Sequence, residues 1–73
     1  MRINRYYGVY ARNRRPQASG MDHEWFHEQS LDTKADADEE KHSLKLRGYQ
    51  VRIMRDDGTV GGIAENLRIL KYS

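Results

Sequence analysis

Two stretches of the sequence alternate between apolar and polar positions, which limits the chain to a fold that contains a sheet. Residues 49–55 are the clearest strand, because every second position from Tyr49 to Ile53 is apolar. Residues 3–12 alternate as well, and they carry aromatic side chains on both faces of the predicted strand. We therefore expect one face of this strand to pack on the core and the other to stay available for contacts.

The segment between these two strands predicts one helix and one further strand. Residues 33–47 begin with Thr33, which can cap a helix, and continue with acidic residues that favour the positive end of the helix dipole. Gly48 suits the left-handed stop of that helix. Residues 23–31 fit either a strand or the start of a helix, and we favour the strand because it closes a long hairpin with residues 3–12.

The C-terminal part of the chain reads as a turn followed by a short last element. Residues 56–59 are Asp-Asp-Gly-Thr, a turn of the Asp-Gly kind, and Gly61 with Gly62 loosens the chain beyond this turn. Residues 67–70 suit either a short last strand or an ordered tail. The sequence therefore predicts an α+β fold, a small antiparallel sheet with one helix in the order β-β-α-β, with a short fourth strand as an optional addition.

A chain of 73 residues forms one domain, here residues 1–73, and its composition excludes several classes of protein. No apolar run approaches the ~20 residues of a membrane span, and the absence of cysteine excludes a disulfide scaffold. Arg2 and Arg5 interrupt any early apolar run, which predicts no signal peptide and a cytoplasmic location. So short a chain has little core to build around a pocket. We expect a monomer with no roomy catalytic cleft and no cofactor.

The net charge of +2 conceals three blocks of opposite sign. Residues 1–15 carry a net charge of +5, residues 22–40 a net charge of −7 and residues 41–73 a net charge of +4. Blocks of this kind either give the folded surface a dipole or neutralise one another in the fold. The acidic block could also present an electrostatic face to a basic partner.

Residues 23–27 read His-Glu-Trp-Phe-His, which matches the zinc-peptidase pattern His-Glu-x-x-His. That chemistry requires a helix, since the two histidines then share one face and bind the same metal. On the strand that we favour, His23 and His27 lie about 13 Å apart and cannot hold one ion. No nucleophile elbow or phosphate loop accompanies the motif. We therefore predict no metal site and no catalytic residue, with a zinc peptidase as the minor alternative.

The N-terminal block combines arginine with tyrosine, two residue types that are enriched at protein interfaces. Arginine recognises carboxylates and phosphates through a planar fork, and tyrosine provides rigid contact area. A mobile basic loop over residues 13–22, marked by proline, serine and glycine, follows the first strand. The plain alternative is a strand with core-facing apolar side chains and ordinary solvated arginines. The predicted partner-binding residues are Arg5, Tyr6, Tyr7, Val9, Tyr10, Arg12, Arg14 and Arg15.

In length and layout the chain resembles the small RNA-polymerase-binding regulators of lytic phages. The resemblance rests on the segment from Arg2 to Arg15 and on the single-domain size. It implies a phage origin and a protein that docks on a subunit of host RNA polymerase, blocks initiation and lets the enzyme read through terminators. Under this hypothesis the tyrosines and Val9 supply buried contact, whereas Arg12, Arg14 and Arg15 meet acidic side chains or nearby nucleic acid.

Two other binding functions stay open. One is a phage inhibitor of another host or defence complex, such as an anti-CRISPR protein, which would use the same surface. The other is direct binding of RNA or DNA, since bases stack on aromatic rings and arginine contacts phosphates. Residues 22–40 would repel a phosphate backbone unless they face away from it, which favours a protein partner.

Overall fold

The computed structural model of this protein describes residues 5–14 and 24–72. The three strands of these residues form one antiparallel sheet in the order β2-β1-β3. The predicted α+β class with a small antiparallel sheet is confirmed. In chain order the elements are β1 (Tyr6–Asn13), β2 (Phe26–Leu31), α1 (Lys34–Leu46), β3 (Tyr49–Asp56) and α2 (Val60–Lys71).

Strand β1 lies at the centre of the sheet because it pairs with both neighbours. It pairs with β3 along its whole length, from Tyr6 opposite Asp56 to Asn13 opposite Tyr49. It pairs with β2 as the predicted hairpin, and residues 26–31 are therefore strand and not the start of a helix.

Helix α1 covers one face of the sheet, and its ends follow the sequence signals. The Thr33 hydroxyl accepts a hydrogen bond from the Asp36 backbone N–H at 3.1 Å, which caps the first turn. Gly48 follows the helix with a φ of +93°, a backbone conformation that favours glycine. The apolar core between this helix and the sheet consists of Val9, Ala11, Ala37, Leu44 and Val51.

Helix α2 is the main departure from the predicted fold, since a short last strand or an ordered tail is expected over the same residues. The Thr59 hydroxyl caps this helix by accepting from the Gly62 backbone N–H at 3.0 Å. Ile63 and Leu70 are seven residues apart and therefore share one side of a helix. Gly61 and Gly62 occupy the first turn, where the sequence suggests a loosened loop. The expectation of a single helix is therefore wrong, because a cap and a helical apolar period outweigh two glycines.

The second helix covers the face of the sheet that the sequence predicts to be available. Tyr10 lies on the side of β1 opposite to Val9 and Ala11, and its hydroxyl accepts a hydrogen bond from Asn66 of α2 at 3.1 Å. Tyr10 is 0% exposed. The sheet is therefore enclosed between α1 and α2. Neither helix of the described residues has the length and apolar character that a membrane span requires.

The predicted basic loop over residues 13–22 is described only at its start. Asn13 is the last residue of β1, and the Arg14 backbone N–H donates to the Gly48 carbonyl at 3.3 Å. These two positions therefore belong to the folded sheet end. Residues 15–22 lie outside the described residues.

Candidate binding surfaces

The predicted partner-binding segment does not form one surface. Side chains alternate along β1, which places Tyr7 on the α1 side of the sheet and Tyr6 and Arg12 on the α2 side. Arg5 is exposed just before the strand, and Arg15 lies outside the described residues. The segment therefore presents its side chains to two sides of the sheet.

Two members of the predicted segment are not accessible at all. Val9 belongs to the apolar core under α1, and Tyr10 lies under α2; both are 0% exposed. Their predicted contact role does not fit this fold, because helices cover both faces of β1.

Cationic side chains gather instead where α1 crosses β3. Two adjoining hollows share Val51 there, and six cationic residues line them together with one anionic residue, Asp38. Arg52 lies on the edge strand β3 opposite Tyr10, so its side chain starts from the α2 side of the sheet. Asp38 pairs with Lys34 at 3.3 Å, on the exposed surface of the helix. The six cationic residues, which we name the basic face, are Arg14, Lys34, Lys41, Lys45, Arg52 and Arg55.

The order of charges along α1 produces the basic face. Lys34, Lys41 and Lys45 are spaced by seven and four residues and fall within one narrow stripe of the helix. Ala37 and Leu44 mark the buried direction, and the lysine stripe borders it on the β3 side. Apart from the Lys34–Asp38 pair, the acidic and basic side chains therefore separate on this helix. Three acidic residues lie at least about 100° around the helix from the stripe: Asp36, Glu39 and Glu40.

Aromatic rings of the two hollows contact one arginine of the basic face, Arg55, and one arginine outside it, Arg47. The Arg55 guanidinium carbon lies 4.1 Å from the centre of the partly buried Tyr7 ring. The Arg47 guanidinium carbon lies 5.9 Å from the Tyr49 ring. Such stacking restrains a guanidinium in its orientation.

A second surface lies on the α2 side of the sheet, beside the residues that precede β2. It is an open groove of about 430 Å³ with apolar side chains from Leu67 and Leu70. The Arg12 guanidinium carbon lies 4.8 Å from the Trp25 ring centre. The polar and aromatic residues of this surface, which we name the Trp25 groove, are Arg12, Glu24, Trp25, Arg68, Lys71 and Tyr72.

The charges of the Trp25 groove are partly compensated. Arg68 donates to the Glu65 carboxylate at 2.6 Å, and this hydrogen bond raises the pKa of the Arg68 guanidinium. Glu24 contributes one negative charge to the groove itself. Arg12 and Lys71 therefore leave a modest positive excess beside the Trp25 ring.

The basic face and the Trp25 groove meet at one end of the sheet. Gln50 lines the hollow that contains Arg14 and Lys45. The same glutamine accepts a hydrogen bond from Arg12 Nε at 2.9 Å, and Arg12 stacks on Trp25. A chain of contacts thus leads from the lysine stripe to the indole ring.

A buried polar cluster lies under α2 and attaches this helix to the sheet. Asp56, only 2% exposed, accepts hydrogen bonds from the Tyr10 hydroxyl at 2.8 Å, Ser30 Oγ at 2.9 Å and the Gly58 backbone N–H at 2.9 Å. Asn66 Nδ2 donates to the Tyr10 hydroxyl. Among the described residues, every buried polar side-chain atom has a hydrogen-bond partner. The cluster is therefore a fully satisfied structural network.

His27 joins this cluster and does not activate a nucleophile. Its Nε2 lies 2.8 Å from Ser30 Oγ, and Ser30 donates its single hydroxyl proton to the Asp56 carboxylate. The imidazole N–H therefore donates to the Ser30 oxygen, which is the reverse of the base role that a nucleophilic serine needs.

The zinc-peptidase pattern does not lie on a helix. Glu24 and Trp25 precede β2, and His27 lies within it, as the favoured strand interpretation predicts. His23 lies outside the described residues. In the part of the chain that the structure describes, no three His, Asp or Glu side chains are grouped so that they could hold a metal ion.

The sequence interpretation missed both surfaces. The spacing of Lys34, Lys41 and Lys45 is the signal that could have revealed the basic face, because it is helical in period. No spacing in the sequence indicates the Trp25 groove, because residues of the unpredicted helix α2 form part of its lining. Searches against protein-family models, curated proteins and solved structures returned no match.

Proposed function

We propose that the chain is a non-covalent binding protein whose basic face holds the phosphate backbone of a nucleic acid. The observation that supports this most directly is the separation of charge on α1. Repulsion by the acidic block is the main objection to a nucleic-acid ligand. Asp36, Glu39 and Glu40 lie away from the lysine stripe, and the objection therefore loses most of its force on this face.

The chemistry of the basic face suits phosphates. Lysine provides mobile point charges, and arginine provides a planar fork that can bind two phosphate oxygens. Contacts of this kind follow the backbone and carry little sequence information. We therefore expect sequence-independent binding that depends strongly on salt.

The salt dependence gives the first test. If about four of the six cations each neutralise one phosphate, the affinity falls on the order of 100-fold between 50 and 200 mM salt. The measurement is fluorescence anisotropy of a labelled oligonucleotide of about 15 nucleotides, a length within reach of a small domain. An affinity that does not change with salt contradicts the proposal.

A matched pair of variants on α1 gives the second test. Lys45→Gln removes one positive charge from the basic face, and we expect the slope of log affinity against log salt to fall by about one. Ser43→Asp lowers the net charge by the same amount on the exposed side of α1 that faces away from the lysines. It should leave the slope unchanged. Equal effects of the two substitutions would mean that only the overall charge matters.

Docking on a protein assembly is the second candidate, and RNA polymerase is the assembly that the phage resemblance implies. The observation that favours a protein contact is the set of large apolar side chains that α2 leaves exposed. A regulator of this kind would act in the host cytoplasm and would block or redirect transcription by occupancy. The exposed side chains are Val60 at 86%, Ile69 at 47% and Tyr72 at 74%.

Capture from a bacterial lysate distinguishes this candidate from the first. The tagged protein should recover RNA polymerase subunits after nuclease treatment, and Ile69→Ser should lower the yield while Lys45→Gln leaves most of it. Recovery of a defence complex instead would favour the inhibitor class. If the polymerase is recovered only without nuclease treatment, nucleic acid is the ligand, and this result supports binding of a phosphate backbone by the basic face.

A further inference from the structure

We infer that the nucleic acid is single-stranded and that one of its bases stacks in the Trp25 groove. This inference rests on the proposed function of the basic face and narrows it to one class of ligand. The groove combines the two features that single-strand binding requires, a positive surface for the backbone and an aromatic platform for a base.

The Trp25 groove pairs aromatic rings with cationic groups. Trp25 is partly exposed, Tyr72 is 74% exposed, and Lys71 lies 5.8 Å from the Tyr72 ring. The Arg12 guanidinium lies over the Trp25 ring, which shows that a planar group fits there, and a base that stacks on the same ring face displaces it. Among the described residues the groove is open toward the surface, where a base can enter.

Contacts at one end of the sheet connect the Trp25 groove to the basic face. Arg12 contacts Gln50, and Gln50 lines the hollow of Arg14 and Lys45. A backbone that lies along the lysine stripe and passes this end of the sheet therefore reaches the rim of the Trp25 groove. Glu24 offsets part of the positive charge of the groove, and the Trp25 and Tyr72 rings provide contact area that suits a base.

The interior of a duplex does not fit this site. Inside a duplex both faces of each base are stacked on neighbouring bases, so an indole ring cannot contact them without unstacking, and only the two terminal pairs have an open face. Duplex and single strand can both bind the basic face, but the groove adds affinity only for the single strand.

The test uses Trp25 itself, which is the only tryptophan of the chain. We titrate the protein with an oligothymidylate of about 15 nucleotides and with a blunt duplex of the same length, and follow the tryptophan emission. The single strand should quench the emission and bind on the order of tenfold more tightly than the duplex. Trp25→Leu should abolish this preference, whereas Trp25→Phe should keep most of it.

Two controls separate the possible failures. Tyr72→Ser alters a residue that is 74% exposed, so it leaves the fold intact and should lower single-strand affinity a few-fold while sparing the duplex. Equal binding of both oligonucleotides with unchanged emission overturns the inference and leaves the basic face standing. Absence of binding to either removes the proposed function as well. Quenching by poly-glutamate to the same extent as by the oligonucleotide would assign the groove to an acidic peptide and also overturn the inference.

Discussion

The two faces of the sheet are stabilised by different chemistry, although the same strand supplies both. On the α1 face, β1 contributes Val9 and Ala11 to an apolar core that Leu44 completes. On the α2 face, β1 contributes Tyr10, whose hydroxyl joins Asp56 in the buried polar cluster. Apolar burial is non-directional and accumulates with area, whereas a polar cluster depends on each of its hydrogen bonds.

This difference assigns separate tasks to the two faces. The α1 face contains the apolar core cluster and carries the lysine stripe on its helix. The polar α2 face fixes the position of α2 and thereby the shape of the Trp25 groove. Substitutions on the two faces should therefore change the free energy of unfolding by different amounts and with a different dependence on pH.

The largest expected effect comes from the α1 face. Leu44→Ala removes a side chain that is 1% exposed, and it should lower the free energy of unfolding by about 2–5 kcal/mol. A domain this small has little stability to lose, so we expect a largely unfolded protein at 37 °C. Urea unfolding followed by circular dichroism measures the change. Leu46→Ala, on the same helix but 76% exposed, should change stability by less than about 0.5 kcal/mol.

The second effect comes from the polar cluster. Asp56→Asn keeps the size of the side chain but turns an amide N–H₂ toward groups that donate hydrogen bonds, Tyr10 and Ser30 or the Gly58 backbone. The expected loss is about 1–3 kcal/mol. Asp32→Asn, at an exposed position, is the control and should be nearly neutral. A loss as large as that of Leu44→Ala would break the division between the two faces.

The third effect is a loss of stability at alkaline pH that comes from Tyr10 in the buried polar cluster. Burial and the neighbouring Asp56 carboxylate raise the pKa of the Tyr10 hydroxyl, although the hydrogen bond from Asn66 lowers it in part. The unfolded chain releases this proton near its ordinary value of 10.0, while the folded protein retains it. Stability from Tyr10 is therefore complete below about pH 10 and declines as the pH rises above it.

Tyr10→Phe isolates this contribution. The variant should lose about 1 kcal/mol near neutral pH, because Asp56 loses a donor and Asn66 loses an acceptor. Above about pH 10, its stability should decline less steeply than that of the parent protein. The measurement is the free energy of unfolding of both proteins from about pH 8 to about pH 11.5. If the two curves run parallel, Tyr10 does not contribute to the loss of stability at alkaline pH.

The part of the fold that could be predicted from sequence is the part built on simple periods. Residues 49–55 alternate and form β3, and Thr33 with the acidic first turns begins α1. Helix α2 was missed because Gly61 and Gly62 suggest a loop, whereas the cap at Thr59 overrides their low helix propensity.

The binding surfaces were harder to predict because they depend on which face each residue occupies. Composition identifies Tyr10 as an aromatic contact residue, but its position under the unpredicted α2 buries it. Arg12 and Arg14 are exposed or partly exposed as expected, yet they serve two neighbouring surfaces rather than one. The lysine stripe arises from α1, where the more numerous acidic residues mask the basic side in any count of charge along the chain.

The smallest effect tests whether α2 is the weaker of the two helices because of its glycines. At Gly61 a Cβ meets nothing within 4 Å, so Gly61→Ala should stabilise the protein by about 0.5–1 kcal/mol through helix propensity. At Gly62 a Cβ would overlap Asp57 Oδ1, which accepts hydrogen bonds from the Thr59 backbone N–H and hydroxyl. Gly62→Ala should therefore destabilise the protein. Urea unfolding of both variants checks the predicted difference in sign. If both substitutions stabilise the protein, the turn before α2 adapts freely to a Cβ at Gly62. The polar face then depends less on the Thr59 cap than its hydrogen bonds indicate.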